Sequence, residues 1–278
     1  MRFSIITPNY NSGRFLEQTL RSVISQANNG ENGENGENGE NGIELEYIVI
    51  DGGSKDGSRE IIQQYSENIT HTIIEPDTGP ANAINKGLRL ATGDVIAWLN
   101  ADDLYYPGTL DRVRRALECR PNAALCFGGC PIIDEQGREI RTGITRFKEF
   151  FYPVSSRFTY QCINYLSQPA LFFRRQAVNQ AGLLPENMVA GWDYDFILRL
   201  WHYGDAVQVA GRPPLSAFRW HEGSISGQNF QAQFKEEYLS AQADAGTFSL
   251  QTLLHFFVRW GIVGAYSAMA QLREKQRK

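Results

Sequence analysis

The apolar residues in the first half of the chain alternate between two patterns. One is a short continuous apolar run, typical of a strand buried on both faces of a sheet, and it occurs in FSIIT, LEYIVID, HTIIE, DVIAWLN and AALCFGG. The other has helical spacing and predicts helices in GRFLEQTLRSVISQ, SREIIQQYS, ANAINKGLRLA and GTLDRVRRALE. Because strands and helices alternate, we predict an α/β fold with a mostly parallel central sheet and helices on both faces.

The second half of the chain has a different pattern. Residues 131–220 combine a predicted hairpin around Gln136 and Gly137 with a helix predicted from about Tyr194, so we expect a mixed region that completes the site. From Gln228 onward the spacing is helical again, which predicts a C-terminal helical extension over residues 228–278. This extension either packs on the domain or lies on an anionic membrane surface through its apolar stretch and basic end.

A triplet repeat of Asn, Gly and Glu separates the first predicted helix from the second predicted strand. The repeat is rich in glycine and has no apolar side chains, so residues 28–42 are predicted to form a flexible surface loop that buries nothing. A calcium-binding acidic repeat is the weaker alternative, because its Glu residues are sparse and it contains no Asp.

Composition and charge limit the classes of function. The chain has 278 residues, 42% of them hydrophobic, which suits one large domain with or without an appendage. A net charge of −4 without a basic cluster argues against nucleic acid as a partner. No export signal and no membrane-spanning apolar stretch is evident, so we expect a cytoplasmic protein. Its four cysteines lack zinc-site spacing and are predicted to be small core residues.

Two adjacent carboxylates, Asp102 and Asp103, follow one of the predicted strands. Asp51 ends another strand, and ligands of open α/β sheets bind beyond the carboxyl ends of the strands. Neighbouring carboxylates repel each other, but they suit a hard divalent cation, since Mg²⁺ and Mn²⁺ prefer oxygen ligands and share them with substrate phosphates. A solvated loop that caps the next helix is the alternative.

The motifs SIITPNYN, YIVIDGGSKDGS, GPANAINKGLRLATGDVIAWLNADD and GWDYDFILRLW occur in series between roughly Arg2 and His221. In this order they resemble the family 2 glycosyltransferases, which have the GT-A fold. The resemblance implies a GT-A domain over residues 1–227, with a nucleotide-sugar-binding half at 1–130 and an acceptor and catalytic half at 131–227. It also implies that Asp102 contacts the ribose of a nucleotide-diphosphate sugar and that Asp103 binds the Mn²⁺ or Mg²⁺ ion that bridges the diphosphate.

The resemblance assigns further positions to the donor site. The residues that it implies bind the nucleotide-sugar are Thr7, Pro8, Asn9, Tyr10, Asp51, Asp77, Asn82, Lys86, Asn100 and Asp102. One departure leaves the base of the nucleotide open, because many family members have a second acidic residue after Asp51 and this chain has Gly52. Related sequences often carry Asp in place of Asn82. Lys86 either supports the diphosphate or lies on a solvated helix face.

Two more residues complete the predicted site. Asp193 matches the family's catalytic base, which accepts the proton of the acceptor hydroxyl, although Trp192 stands where the family commonly has Glu. The alternative for Asp193 is that it caps the following helix. His221 follows the last strand and resembles a His that closes over the metal or diphosphate in family members, so we predict that it is a metal ligand beside Asp103.

These features predict a metal-dependent, inverting glycosyltransferase of the hexosyl-transferring type. One base and no protein nucleophile favour direct displacement at the anomeric carbon. The expected donor is a nucleotide-diphosphate sugar, with a UDP-sugar as the first choice. The expected acceptor is a glycan or lipid-linked molecule in the synthesis of bacterial surface polysaccharide or glycolipid, and the C-terminal extension is a candidate for peripheral contact with the inner face of the cytoplasmic membrane.

Two rival functions are weighed against this prediction. A nucleotidyltransferase on a similar sheet would have a Gly-rich phosphate loop after the first strand, where this chain has TPNYNSG. A non-catalytic domain that binds a sugar or nucleotide is the rival from a different class, and the presence of Asp103 and Asp193 disfavours it.

Overall fold

A computed structural model of the chain describes residues 1–28, 42–224, 229–261 and 264. The repeat predicted to form a flexible loop at 28–42 lies outside the described residues except at its two ends, and so does most of the chain after residue 261.

Strands and helices alternate through the first half of the chain, as the apolar pattern predicts. The strands, in chain order, are β1 (Arg2–Asn9), β2 (Glu44–Asp51), β3 (His71–Ile74), β4 (Val95–Trp98), β5 (Leu104–Tyr105), β6 (Ala123–Gly128), β7 (Ile132–Ile133), β8 (Glu139–Ile140), β9 (Leu171–Arg174), β10 (Asp205–Val209) and β11 (Ser216–Arg219). The helices are α1 (Gly13–Asn28), α2 (Ser58–Gln64), α3 (Pro80–Leu90), α4 (Thr109–Cys119), α5 (Thr142–Phe150), α6 (Arg157–Cys162), α7 (Arg175–Ala181), α8 (Trp192–Leu200) and α9 (Phe230–Ala245). Residues 250–261 are also helical.

The central sheet has the strand order β10-β6-β9-β4-β1-β2-β3. Its neighbouring strands are parallel except at β9, which is antiparallel to both β4 and β6. Side chains alternate across the sheet, so Ile5 packs in a core with Leu16 and Val113, and Ile6 packs in a second core with Ile84 and Phe196. Helices therefore cover both faces of a mostly parallel sheet, which confirms the predicted fold class.

Three strands of the mixed region join β5 in a second, smaller sheet with the order β5-β11-β7-β8. The hairpin predicted around Gly137 is present, and it joins β7 to β8 through a turn in which the Asp134 carboxylate accepts hydrogen bonds from the backbone of Gln136 and Arg138. Strand β11 pairs with β5, which directly follows Asp103. This pairing brings the chain before His221 against the Asp pair.

The helices near the C-terminal end pack on the catalytic half that was predicted from the sequence. Helix α9 contacts α8 and α6, and His255 in the last helical segment is buried against the backbone oxygen of Gln161. Within the described parts of the chain, no helix is long and apolar enough to cross a membrane.

Candidate functional site

The carboxyl ends of β1 and β2 meet in register at Asn9 and Asp51. The Asn9 amide donates to Asp51 Oδ2 at 2.6 Å, and Asp51 Oδ1 accepts hydrogen bonds from the backbone of Gly53 and Ser54. Both side chains are buried, so they shape the turn after β2 and leave its backbone at the edge of the sheet. Their predicted contact with the nucleotide stays a prediction.

The other residues predicted in the first loop divide into two groups. Thr7 and Pro8 are buried within β1, and the Thr7 hydroxyl is hydrogen-bonded to the Tyr47 phenol at 3.0 Å. Their side chains therefore belong to the core, which disagrees with a direct role in binding. Tyr10 is 64% exposed, because it follows the last strand residue and leaves the sheet. Its ring is the exposed group of this loop.

Tyr10 borders a cavity of about 630 Å³, here called the Tyr10 cavity, at the carboxyl ends of β2 and β3. Its lining includes Gly52, Arg59, Ile74 and Asp77. An aromatic ring, an exposed aliphatic side chain and groups of both charges suit a flat heterocycle with polar edges.

The Asp77 carboxylate occupies the space in front of Gly52. A Cβ atom at Gly52 would lie 2.3 Å from Asp77 Oδ2, so a side chain at position 52 and the present position of the Asp77 carboxylate exclude each other. The other Asp77 oxygen accepts a hydrogen bond from the Gly79 backbone at 2.9 Å, which fixes the carboxylate in this place. The carboxylate that is missing at position 52 is thus replaced in space by one from the loop after β3.

The two remaining candidates on α3 make contacts within the protein. Lys86 forms an ion pair with Glu75 at 2.8 Å and donates to the Pro76 backbone oxygen at 3.0 Å, so it braces the loop that carries Asp77. Asn82 donates to Glu186 Oε2 at 2.8 Å. Neither side chain lines the Tyr10 cavity. The alternative for Lys86, a solvated helix face, also differs from the structure, because its ammonium group contacts Glu75 and the Pro76 backbone.

Asp103 is fully buried, which disagrees with its predicted role as the metal ligand. Its Oδ1 accepts the backbone N–H of Arg219 at 2.8 Å, and its Oδ2 accepts the Asn100 amide at 3.2 Å. Burial and the neighbouring Asp102 charge raise the pKa of the Asp103 carboxyl well above its usual range. The sequence pattern shows two equivalent carboxylates, but β11 covers one of them.

Asp102 and His221 form the partly exposed pair at this edge of the sheet. Asp102 Oδ2 lies 2.9 Å from His221 Nε2, although the two residues are 119 positions apart. The Gly223 N–H donates to His221 Nδ1 at 3.2 Å, so the neutral ring carries its proton on Nε2, facing the carboxylate. The Phe15 ring packs beside the imidazole at 5.2 Å between centroids.

The Asp102–His221 pair fits part of a divalent cation site. A carboxylate oxygen and an imidazole nitrogen are suitable ligands for Mn²⁺, so Asp102 and His221 would hold such an ion at this place. No group of three or more His, Cys, Asp and Glu side chains suited to a metal occurs in the described part of the chain. A cation at this pair would need further ligands from substrate or water, and His221 Nε2 could hold it only with the ring proton moved to Nδ1, where the Gly223 N–H now donates.

Arg219 is a site residue that the sequence did not reveal. Its buried guanidinium donates to the Asp102 backbone oxygen, the Glu135 backbone oxygen and the Gln18 side chain at 2.8, 3.0 and 2.8 Å. It thereby ties the hairpin and α1 to the loop of the Asp pair. Arg219 lies between two aromatic residues in FRWHEGS, and only the strand pairing could show that it points inward.

A second cavity, of about 580 Å³, borders His221 and is called here the Trp220 cavity. The hairpin lines it with Asp134, Glu135 and Ile140. The Arg141 guanidinium lies 4.0 Å from the centroid of the Trp220 ring, which holds the ring at this position. The hairpin was predicted from the sequence, but its place beside His221 was not.

Asp193 is the second residue of α8. The Trp192 ring before it is buried and packs 6.1 Å from the ring of Trp98, the last residue of β4, which ties the start of α8 to the central sheet. Asp193 Oδ1 accepts the backbone N–H of Tyr194 at 2.7 Å, while part of the side chain stays accessible to solvent. Surrounding protein still desolvates the carboxyl group enough to raise its pKa to about 6.

Comparison with known proteins identifies the family. The model of glycosyl transferase family 2 matches residues 4–182. An uncharacterized glycosyltransferase of Nostoc sp. is 33% identical over 116 residues, which are 41% of this chain and 32% of the relative. TuaG of Bacillus subtilis, whose name refers to teichuronic acid biosynthesis, is 31% identical over 137 residues, which are 48% of each chain. The chain spans about a third to a half of the length of the curated relatives that it matches.

Solved glycosyltransferase structures share the fold at low sequence identity. TarS of Staphylococcus aureus, in a complex with UDP-GlcNAc, aligns with a TM-score of 0.63 at 17% identity and covers 86% of this chain and 66% of that one. The mannosyltransferase PcManGT of Pyrobaculum calidifontis, in complex with GDP-Man and Mn²⁺, aligns with a TM-score of 0.59 at 18% identity and covers 97% and 80%. The GT-A fold predicted from the motifs is thus confirmed, and because the family model covers more than half of the chain, the protein belongs to glycosyl transferase family 2.

Proposed function

We propose that the protein is an inverting glycosyltransferase that moves a sugar from a nucleotide-diphosphate sugar to an acceptor hydroxyl with the help of Mn²⁺ or Mg²⁺. The observation that carries this proposal is the Asp102–His221 pair, in which two residue types suited to a cation meet 2.9 Å apart at the ligand-binding edge of the sheet. Residues 1–227 form the transferase domain in this proposal, and residues 228–278 form the extension.

The base of the donor binds in the Tyr10 cavity. The exposed Tyr10 ring stacks on the heterocycle, and the fixed Asp77 carboxylate accepts a hydrogen bond from a ring N–H. Uracil and guanine both offer such an N–H, which agrees with the UDP-GlcNAc bound to TarS and the GDP-Man bound to PcManGT. A UDP-sugar remains the first choice.

Asp102 and His221 hold the cation, and Asp103 has a structural role. When bound, the cation neutralises the negative charge that develops on the leaving diphosphate. Asp103 keeps the Asn100 side chain and the backbone of Arg219 in place from within the core. The metal function predicted for the second carboxylate of the pair is therefore assigned to the first.

Asp193 accepts the proton of the acceptor hydroxyl. As that oxygen bonds to the anomeric carbon, the bond from this carbon to the diphosphate oxygen breaks, the electron pair leaves with the diphosphate, and the configuration inverts. A carboxyl with a pKa of about 6 is mostly ionised at neutral pH and is more basic than an ordinary carboxylate. Gly191 is the N-cap residue of α8, which argues against helix capping as the main role of Asp193.

The acceptor is proposed to be a glycan or lipid-linked molecule in the synthesis of bacterial surface polysaccharide. The similarity to TuaG supports this assignment. The Trp220 cavity, which His221 lines, offers room for part of a large substrate.

A panel of nucleotide-sugars tests the proposal and identifies the donor. Hydrolysis of each donor is measured with Mn²⁺, with Mg²⁺ and with a chelator. We expect turnover of donors with one base, and its loss on chelation. Tight binding of a nucleotide-sugar without any turnover, with or without a cation and a set of glycan acceptors, would instead support a non-catalytic binding domain.

A further inference from the structure

The chain that leads into Asp193 is held by a side chain from α9. Glu236 Oε1 accepts the backbone N–H of Val189 at 2.8 Å, and its Oε2 accepts those of Ala190 and Gly191 at 2.9 and 2.8 Å. The segment 189–191 directly precedes the first turn of α8, in which Asp193 lies. One carboxylate from a distant part of the chain thus satisfies three successive backbone donors.

Gly191 permits this close contact. A Cβ atom at Gly191 would lie 2.6 Å from the Cβ of Glu236, which is a backbone-proximal atom that cannot move aside without a shift of α9. The φ angle of Gly191 is −101°, which other residues adopt readily. Glycine is therefore needed at this position for space and not for its backbone conformation.

Glu236 satisfies the backbone donors that lead into α8 from outside the helix. The N-terminus of α8 has no capping bond from the N-cap side chain, and the N–H groups that precede the helix are bound by Glu236. An anion near this end also favours the helix dipole. Within the first turn, Asp193 Oδ1 accepts the Tyr194 N–H, so Oδ2 is the Asp193 oxygen that would act on a substrate.

We propose that Glu236 is a positioning residue for Asp193, and that α9 is part of the catalytic apparatus although it lies beyond the region matched by the family model. The proposal rests on the proposed role of Asp193 as the base. Three charge-assisted hydrogen bonds fix the path of residues 189–191 and so the place from which Asp193 reaches the acceptor. A displacement of about 1 Å at a reacting group lowers a rate by about 10²-fold.

The test compares two changes at the contact with one control elsewhere on α9. Glu236→Gln replaces one acceptor oxygen by a donor that faces a backbone N–H, and Gly191→Ala pushes the helix away. The control is Asp244→Asn, because Asp244 anchors the other end of α9 to Arg157, Gln161 and His202. All three variants loosen the same helix, but only the first two disturb residues 189–191.

We expect Glu236→Gln and Gly191→Ala to lower kcat by about 10- to 100-fold, with the KM for donor within about twofold. Asp244→Asn should lower the melting temperature by a similar amount and leave kcat within about threefold. Amide hydrogen exchange over residues 189–195 should be faster in Glu236→Gln than in Asp244→Asn. Equal losses of kcat in Glu236→Gln and the control, or no loss in Glu236→Gln, would overturn the proposal.

A double variant separates this proposal from the proposed mechanism. If Glu236 acts through Asp193, Glu236→Gln should cause no further loss of kcat in an Asp193→Asn background. A further loss of the same size there would show that Glu236 acts by another route and would overturn the positioning role. If Asp193→Asn alone turns over normally, the assignment of the base is what fails.

Discussion

Asp102 and Asp103 are neighbours in the chain with opposite surroundings. The Asp102 carboxylate is partly exposed and faces His221, whereas both oxygens of the Asp103 carboxylate accept hydrogen bonds inside the protein. A buried donor that loses its acceptor costs about 1–3 kcal/mol, so the two residues should respond to mutation in different ways.

The first prediction contrasts these two residues. Asp102→Asn should abolish the cation-dependent part of nucleoside diphosphate binding, because an amide is a poorer ligand than a carboxylate for a hard cation. Asp103→Ala should lower the melting temperature and leave the backbone N–H of Arg219 without its acceptor. Calorimetry with nucleoside diphosphate and Mn²⁺, beside melting curves, measures both effects. Unchanged cation dependence in Asp102→Asn would contradict the assignment.

The second prediction concerns Asp193 as the base. Asp193→Asn should keep the donor affinity and lower transfer by about 10²- to 10⁴-fold, which is the usual contribution of a general base. In the unmodified protein, kcat/KM should rise with pH and level off above a pKa of about 6, since only the ionised carboxyl accepts a proton. Near-normal turnover of Asp193→Asn with an unchanged melting temperature would remove Asp193 from the mechanism.

At the scale of elements, the packing of α9 on α8 buries a second carboxyl group. Glu237 is buried, its Oε1 accepts hydrogen bonds from Asn164 and Gln233, and it lies near Asp193 and Lys148. Burial, and to a lesser degree the charge of Asp193, raises the pKa of the Glu237 carboxyl to about 7.

The third prediction follows from the direction of that change. A raised pKa means that the folded state holds the proton of Glu237 up to about pH 7, whereas the unfolded chain releases it near pH 4.5. The stability that the neutral carboxyl provides is therefore fully present below about pH 4.5 and is lost as the pH rises to about 7, a loss on the order of 3 kcal/mol. Glu237→Gln stays neutral and keeps the Oε1 acceptor. Its melting temperature should match the unmodified protein at pH 4 and exceed it above pH 7; a difference that does not depend on pH would contradict the buried ionisation.

The elements themselves could be predicted from the sequence, and the partners of the site residues could not. Continuous apolar runs such as residues 47–50 are typical of buried strands, so the alternation of β and α and the edge expected to bind ligands followed from the pattern. Whether Asp103 or Asp102 faces solvent depends on the pairing of β5 with β11, which joins residues more than 100 positions apart. The contact of Glu236 with residues 189–191 likewise depends on packing that no local pattern encodes.

At the scale of the whole molecule, the site is assembled from distant parts of the chain. The Tyr10 cavity is built from the loops after β1, β2 and β3, the Asp102–His221 pair joins the central sheet to the smaller sheet, and the segment before Asp193 is bound by a side chain of α9. The half predicted to bind the nucleotide-sugar could be expected from the motifs because its loops follow strands in order. The other half could not, because its residues meet through strand and helix packing.

The last prediction concerns the outer surface of the final helical segment. Leu250, Leu253, Phe257 and Trp260 follow one another at intervals of three and four residues and are all exposed, with Trp260 at 75%, whereas Thr252 and His255 on the same helix are buried against the protein. A helix with one face packed and an apolar stripe outside suits the interface of a membrane, where a lipid-linked acceptor would be found.

The full chain should therefore sediment with vesicles that contain anionic lipid. The double variant Phe257→Ser, Trp260→Ser should lose most of this binding, with its donor hydrolysis unchanged. Neutral vesicles and high salt separate the apolar contribution from the electrostatic one. If the unmodified chain stays in the supernatant with both kinds of vesicle, or if the double variant binds equally well, this stripe does not contact membrane.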